Sequence, residues 1–278
     1  MPGLSSGVPA VKARSGVVTL TSDFGTADSY VGAMKGVILT INPRAALVDI
    51  THEIRPQGVW EAAFVLQNCA FQFPYGTVHL VVVDPGVGSR RRLIVLEEKG
   101  QLFVAPDNGI LSLVASKGSE VVNIDLRKRE LIPSVSSYTF HGRDILAPVA
   151  AHLSLGRGLE EIGRRVRNIR KFVLPSARRL PGGWRGEIIY TDRFGNLVTN
   201  LAKEIVCKLP GWDKAEIEVA GVRVKGIKKS YYQGRSGELM AVIGSHNFLE
   251  LAVKNGSARE KLKIKEGEPL WLRIKERP

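Results

Sequence analysis

The stretch His79–Glu98, HLVVVDPGVGSRRRLIVLEE, decides how this chain is read. An apolar run ends at Asp84, a Pro-Gly-Val-Gly segment turns the chain, and Arg90, Arg91 and Arg92 lead into a second apolar run. An apolar run without alternation is a strand buried on both faces, as in a sheet covered by helices. An acid at the C-terminal end of such a strand lies where open α/β sheets bind ligands. The glycines let backbone approach a ligand closely. DPGVG is nevertheless neither a Walker loop nor a GxGxxG turn. Asp84 and the arginines can form a surface ion pair worth little, or hold an anion or a water. Alternation along the strand sends neighbouring arginines to opposite faces, so all three cannot serve one pocket.

Working outward, GVVTLTSDFG reads as a buried strand closed by Asp23 and a glycine. DSYVGAMKGVILTINP has helical spacing and stops at Asn42-Pro43. AALVDI is a short buried strand and GVWEAAFVLQNCAFQFP a second amphipathic helix. RLIVLEE, LFVAP and VVNIDL are further strands. DNGILSLVASKG reads as a helix capped by Asp107 or Asn108 and stopped at Gly118. GRDILAPVAAHLSLG is a helix with Pro148 near its start. Strands alternating with helices predict an α/β N-terminal domain with a mainly parallel sheet over residues 16–156. Residues 157–183, rich in Arg, Gly and Pro, read as a linker. Short alternating segments follow (GEIIYTD, GNLVTNL, AEIEVAGVRVKG, LMAVIG, LELAVK, PLWLRI), separated by turn signals. They predict a C-terminal antiparallel β-barrel domain over 184–278.

The chain has 278 residues, 44% hydrophobic and 24% charged, ordinary for a folded protein. No apolar run approaches the ~20 residues that cross a bilayer. Residues 1–15 lack an apolar signal segment and read as a flexible leader, so no membrane partner and a cytoplasmic location are expected. Cys69 and Cys207 are far apart and outside any CxxC spacing, which points to buried inert thiols and no metal. The formal net charge of +13 raises nucleic acid as a partner. The basic residues are dispersed, with LRKRE, GRGLEEIGRRVRNIRKF and GIKKS the densest clusters. Solvated surface accounts for them more simply.

Other segments carry candidate chemistry. Asp23 at a strand end can bind a ribose diol or form a turn. His141 in TFHGRD precedes a glycine and a helix N-terminus, a place that favours nearby negative charge. In YTDRFGNLVTN, Asp192, Phe194, Asn196 and Asn200 surround a turn, and an aromatic beside an acid and an amide suits a heteroaromatic ring. GSHNFLELAVKNGSA adds Ser245, Phe248 and Glu250.

Singly these signals are weak; in order they are specific. TSDFGTADSYVGAMKG, VVVDPGVGSRRR, APDNGILS, TFHGRDILAPVAAHLSLG, TDRFGNLVTNL and SHNFLELAVKNGSA together resemble the S-adenosyl-L-methionine hydroxide adenosyltransferases, relatives of fluorinase and chlorinase. The resemblance runs from Val17 to Ile274. It implies hydrolysis of S-adenosyl-L-methionine to adenosine and L-methionine by water at ribose C5′, with no cofactor and no metal. It also implies a homotrimer with the ligand between subunits. The family's water-handling set falls on Asp84, Arg91 and His141; Arg91 is the arginine at the family's spacing, seven residues after Asp84. Asp23 matches the ribose-holding acid and Asp28 an acid near the methionine. Phe194 and Asn196 match the adenosine wall, and Asp192 points toward the methionine moiety. Ser245, Glu250 and the backbone of Val253 match the remaining contacts. Fluorinase has tyrosine in place of Asp84 and serine in place of Gly142, whereas chlorinase has glycine there. A carboxylate at position 84 repels a halide and orients a water. Asn247 replaces a glycine of many relatives, and Asn tolerates the left-handed backbone that such a turn needs. A halide-using enzyme and a non-catalytic adenosine or S-adenosyl-L-methionine sensor are the alternatives. Sequence alone leaves open whether Asp84 or His141 takes the proton from water.

Overall fold

A computed structural model describes residues 14–133, 137–173 and 175–273; nearly all of the expected leader lies outside them. The chain forms two compact units, residues 1–172 and 173–278.

The first unit is built on seven strands: β1 (Val17–Ser22), β2 (Ala46–Thr51), β3 (Val78–Val82), β4 (Leu93–Glu98), β5 (Gln101–Pro106), β6 (Glu120–Ile124) and β7 (Gly163–Arg165). Their order is β2-β1-β3-β5-β4-β6-β7. Helices α1 (Tyr30–Ile41), α2 (Val59–Cys69), α3 (Ala147–Ser154) and α4 (Leu159–Ile162) accompany it. The apolar run of β3 is explained by burial on both faces. Val78, Leu80 and Val82 join the core formed with Met34, Ile38 and Val149, while Val81 and the following Val83 join the core formed with Ala62 and Leu66. Each such side chain contributes about 1.5–3 kcal/mol on burial.

The sheet is mixed, not mainly parallel. β2, β1, β3 and β5 run parallel, but β4 pairs antiparallel with both β5 and β6, and β6 with β7. The cause is local. Lys99 and Gly100, both at positive φ, close a two-residue hairpin that returns β5 along β4. β2 is an edge strand with Val48 exposed, not a buried strand. The helix expected from Asp107 to Gly118 is a series of turns. Its polar side chains bind elsewhere: Asp107 takes Arg92 Nε at 2.8 Å and Arg170 N at 2.7 Å, and Asn108 Nδ2 donates to Val83 O. Within the stretch read as a linker, α4 and β7 extend the first unit.

The second unit holds β8 (Arg178–Leu180), β9 (Gly183–Thr191), β10 (Leu197–Ala202), β11 (Glu216–Val219), β12 (Val222–Lys225), β13 (Ile227–Lys228), β14 (Leu239–Ile243), β15 (Phe248–Val253) and β16 (Pro269–Arg273). The order β12-β11-β16-β9-β10-β15-β14-β13 gives a nearly closed, barrel-like sheet, with β12 lying against β14 and β8 flanking β9. Its pairings are antiparallel except β13–β14. Ile188, Leu197, Ile217, Leu251 and Leu270 fill the interior. Cys69 and Cys207 are free thiols, half-buried instead of buried. Among the described residues no helix is long and apolar enough to cross a membrane.

Candidate active site

The site in the first unit grows from the C-terminal ends of β1 and β3. β1 delivers Asp23 and β3 delivers Asp84. His141 stands at the start of a π-helical turn, Gly142–Leu146, that runs directly into α3. Single π turns recur at functional sites. Pro148, lacking an N–H, is tolerated in the first turn of α3. Gly142 is closely packed: a Cβ there would lie 3.0 Å from Val82 Cγ1 and 3.2 Å from Met34 Sδ, so these side chains would have to shift by a few tenths of an ångström.

Arg91 grips Asp84 with both forks of its guanidinium. Nε donates to Oδ1 at 2.6 Å and Nη2 to Oδ2, with the two side chains 9% and 8% exposed. Nη2 also donates to His141 Nδ1 at 3.2 Å. Arginine has no acceptor, so Nδ1 is the bare nitrogen of His141 and Nε2 carries the hydrogen. Burial and then the Arg91 charge hold His141 below its ordinary value, so the ring is neutral near pH 7. Arg92 turns away to Asp107 and to Asn168 O at 2.9 Å, and Arg90 is exposed.

Asp23, Asp84, His141 and Gly142 line one cavity of about 310 Å³. Gln57 also lines it and was not legible in the sequence. Its N–H donates to Asp23 Oδ2 at 2.7 Å from a residue at φ 65°. An Arg-Pro-Gln-Gly turn signals the bend, but nothing in it signals that the amide meets an acid. Asp28 is exposed and does not line this cavity.

In the second unit Asp192 organises its own turn. Oδ1 accepts from Phe194 N at 2.9 Å and Asn196 N at 2.8 Å, and Oδ2 from Asn196 Nδ2 at 2.8 Å. This leaves Phe194 76% exposed and Asn196 buried. Gly195, at φ 77°, is required, since a Cβ would lie 2.1 Å from Ser257 Oγ. The turn before β15 keeps its shape with Asn247 at φ 59°, as expected of asparagine. Ser245 is exposed on this turn, and Val253 is buried at the end of β15. Glu250 is buried, and burial pushes its carboxyl up. The Tyr231 hydroxyl donates to Glu250 Oε1, and burial and this bond push the phenol up. Tyr231 was not read as a site residue, because a tyrosine in KKSYYQG looks like turn surface. The Asp192 charge acts on Tyr231, His246 and Glu250 alike. Among the described residues no group of three or more His, Cys, Asp or Glu is placed to hold a metal.

The family models of the S-adenosyl-L-methionine hydroxide adenosyltransferase N-terminal and C-terminal domains match residues 18–163 and 186–271. A Thermus thermophilus protein named (R)-S-adenosyl-L-methionine hydrolase is 37% identical over 262 residues, covering 92% of this chain and 98% of that protein. A Nocardia brasiliensis protein named fluorinase is 27% identical, covering 94% of this chain and 98% of its own. The crystal structure of an uncharacterized conserved protein from Thermotoga maritima superposes with a TM-score of 0.86 at 40% identity, covering 93% of this chain and 100% of that one. The matched domains, in order and over nearly the whole length, place this chain in the S-adenosyl-L-methionine hydroxide adenosyltransferase family.

Proposed function

We propose that this protein is a hydrolase that cleaves S-adenosyl-L-methionine with water to adenosine and L-methionine. The observation that carries the reading is the Arg91 fork on Asp84 with His141 at 3.2 Å, in a chain whose curated relatives bear the hydrolase name. The C5′–S bond breaks and a C5′–O bond forms, while the water's second hydrogen leaves as a proton. The sulfonium departs as a neutral thioether, so no general acid is needed at sulfur. Water is a poor nucleophile, and the site meets that difficulty. Arg91 supplies positive charge where hydroxide character develops. His141, bare at Nδ1 toward Arg91, presents Nε2–H and orients the water. Asp84 is then the proton acceptor, through a lone pair that Arg91 does not use. This route draws on no metal or cofactor, because Arg91 supplies the charge and the leaving group is neutral.

Asp23, with Oδ2 held by Gln57, offers Oδ1 to the ribose diol. Phe194 stacks on adenine beside Asn196. Asp192 and Glu250 face the cationic methionine end, with Ser245 and the Val253 backbone completing the contacts. Asp28 serves the methionine end from its exposed loop. As in the family it resembles, the protein acts as a cytoplasmic homotrimer with substrate between subunits, on an α/β domain and an antiparallel barrel.

Chromatography of the protein incubated with S-adenosyl-L-methionine, with and without chloride, tests this. Equal amounts of adenosine and methionine, independent of chloride and lost in Asp84→Ala and His141→Ala, are expected. A chloride-dependent 5′-halonucleoside, or a retained nucleoside without turnover, overturns it.

A further inference from the structure

Two of the basic clusters, LRKRE and GRGLEEIGRRVRNIRKF, meet the arginines of the DPGVGSRRR turn in space. A second cavity of about 460 Å³ in the first unit is lined by five arginines, Arg90–Arg92, Arg127 and Arg164, against one carboxylate, Asp125. They come from the DPGVGSRRR turn, from LRKRE and from EIGRRVR, brought together because β4, β6 and β7 are neighbours in the sheet. Asp125 is already engaged by Arg127, at 2.9 and 2.7 Å. Arg90 has no carboxylate partner among the described residues. Arg91 and Arg92 are likewise paired, with Asp84 and Asp107, so the excess positive charge of the cavity is that of Arg90 and Arg164.

This cavity backs onto the proposed water site. His141 lines both cavities, and Arg91 lines only this one. Arg91 Nη1 is buried with no hydrogen-bond partner among the described residues, although Nε and Nη2 are both used. An unmet buried donor on a guanidinium costs free energy unless an acceptor arrives. An acceptor of high charge density fits, and arginine forks match phosphate oxygens.

We propose that this cavity binds a small phosphate-bearing anion, which contacts Arg91 from behind and restrains hydrolysis. The reading rests on the proposed function for its effect on rate, but not for binding. The occupant is not the substrate's own carboxylate. In-line attack puts methionine on the opposite side of C5′ from the attacking water, and this cavity is lined by Arg91 and His141, the residues proposed to handle that water. An anion beside Arg91 offsets the charge that helps form hydroxide, and it favours protonation of His141.

The test is calorimetric titration with inorganic pyrophosphate, and separately with glycerol phosphate, at fixed ionic strength. Three proteins are compared: wild type, Arg90→Gln/Arg164→Gln, and the charge-matched Lys208→Gln/Lys225→Gln in the second unit. Saturable binding is expected in wild type and in the lysine variant, weakened about tenfold or more in the arginine variant. Pyrophosphate alone binding would assign the site to free polyphosphate, and both binding would assign it to the phosphate group whatever its carrier. In wild type, bound anion lowers kcat and moves the acid limb of the rate profile to higher pH; the arginine variant shows neither change. No saturable binding, equal weakening in both variants, or binding of an oligonucleotide but not of pyrophosphate overturns the proposal. Binding by a protein that proves inactive toward S-adenosyl-L-methionine would overturn the hydrolase reading and leave the anion site standing.

Discussion

The two halves of the molecule hold candidate residues that solve different problems. In the first unit the groups are locked to one another: a two-pronged Arg91–Asp84 ion pair with little exposure, and a neutral, partly buried His141 tied to the same guanidinium. In the second unit Asp192 spends its oxygens on its own turn, and the result is an exposed aromatic, Phe194. The first arrangement fixes charge where a reaction develops it. The second presents surface for a ligand to cover. Losses in the first half should therefore fall on kcat, and losses in the second on KM.

The largest effect is expected for Asp84→Asn. It keeps the shape of the pair but removes the proposed proton acceptor, and kcat should fall by about 10²–10⁴ with KM little changed. Asparagine is chosen because Asp84→Ala strands a buried arginine, which costs about 3–5 kcal/mol of stability. Steady-state kinetics with a thermal melt as control checks this; a loss confined to KM would erase the contrast between the halves.

Next comes the core beneath the first half. His79 is buried between Thr19 Oγ1, 2.7 Å from Nδ1, and Gln101 Oε1, and it stacks on Phe103. Burial pushes it down to about 4, from 6.5. Between those values the unfolded chain binds a proton that the folded one refuses. Stability is thus full above pH 6.5 and declines as pH falls toward 4, by about 3 kcal/mol. Urea melts across that range read it, and His79→Gln should flatten the slope.

Phe194→Ala should raise KM by about tenfold or more while leaving kcat within a few-fold, since aromatic stacking on a base is worth ~1–3 kcal/mol. A matching fall in kcat would mean that Phe194 helps align the attack. Smallest is Tyr231→Phe. It deletes one donor to buried Glu250 and should raise KM about fivefold, near the ~1 kcal/mol of one hydrogen bond. A neutral result would remove Glu250 and Tyr231 from the ligand-holding face.

Much of this architecture was legible in the chain. The continuous apolar run before Asp84, the helical spacing that stops at Asn42-Pro43, and the glycine of the Asp192 turn each specify local structure by local physics. Asn247 takes the left-handed backbone that the glycine of many relatives implied and that asparagine tolerates. The residues alone left Arg90, Arg91 and Arg92 open as partners for Asp84; the family resemblance singled out Arg91, and the fold pairs it. The direction of half the sheet was less open to reading. Lys99-Gly100 signals a hairpin, but only strand pairing places β4 between β5 and β6. The Asp107–Gly118 helix failed because its cap residues found partners far along the chain. Propensity is weak against such tertiary contacts. Tertiary structure also decided the tautomer of His141, since the nitrogen facing Arg91 must be the bare one. It alone gathered arginines from three distant segments around one cavity. Sequence determined which groups are available and what each turn can do; which charges become neighbours was fixed by the order of strands in the sheet.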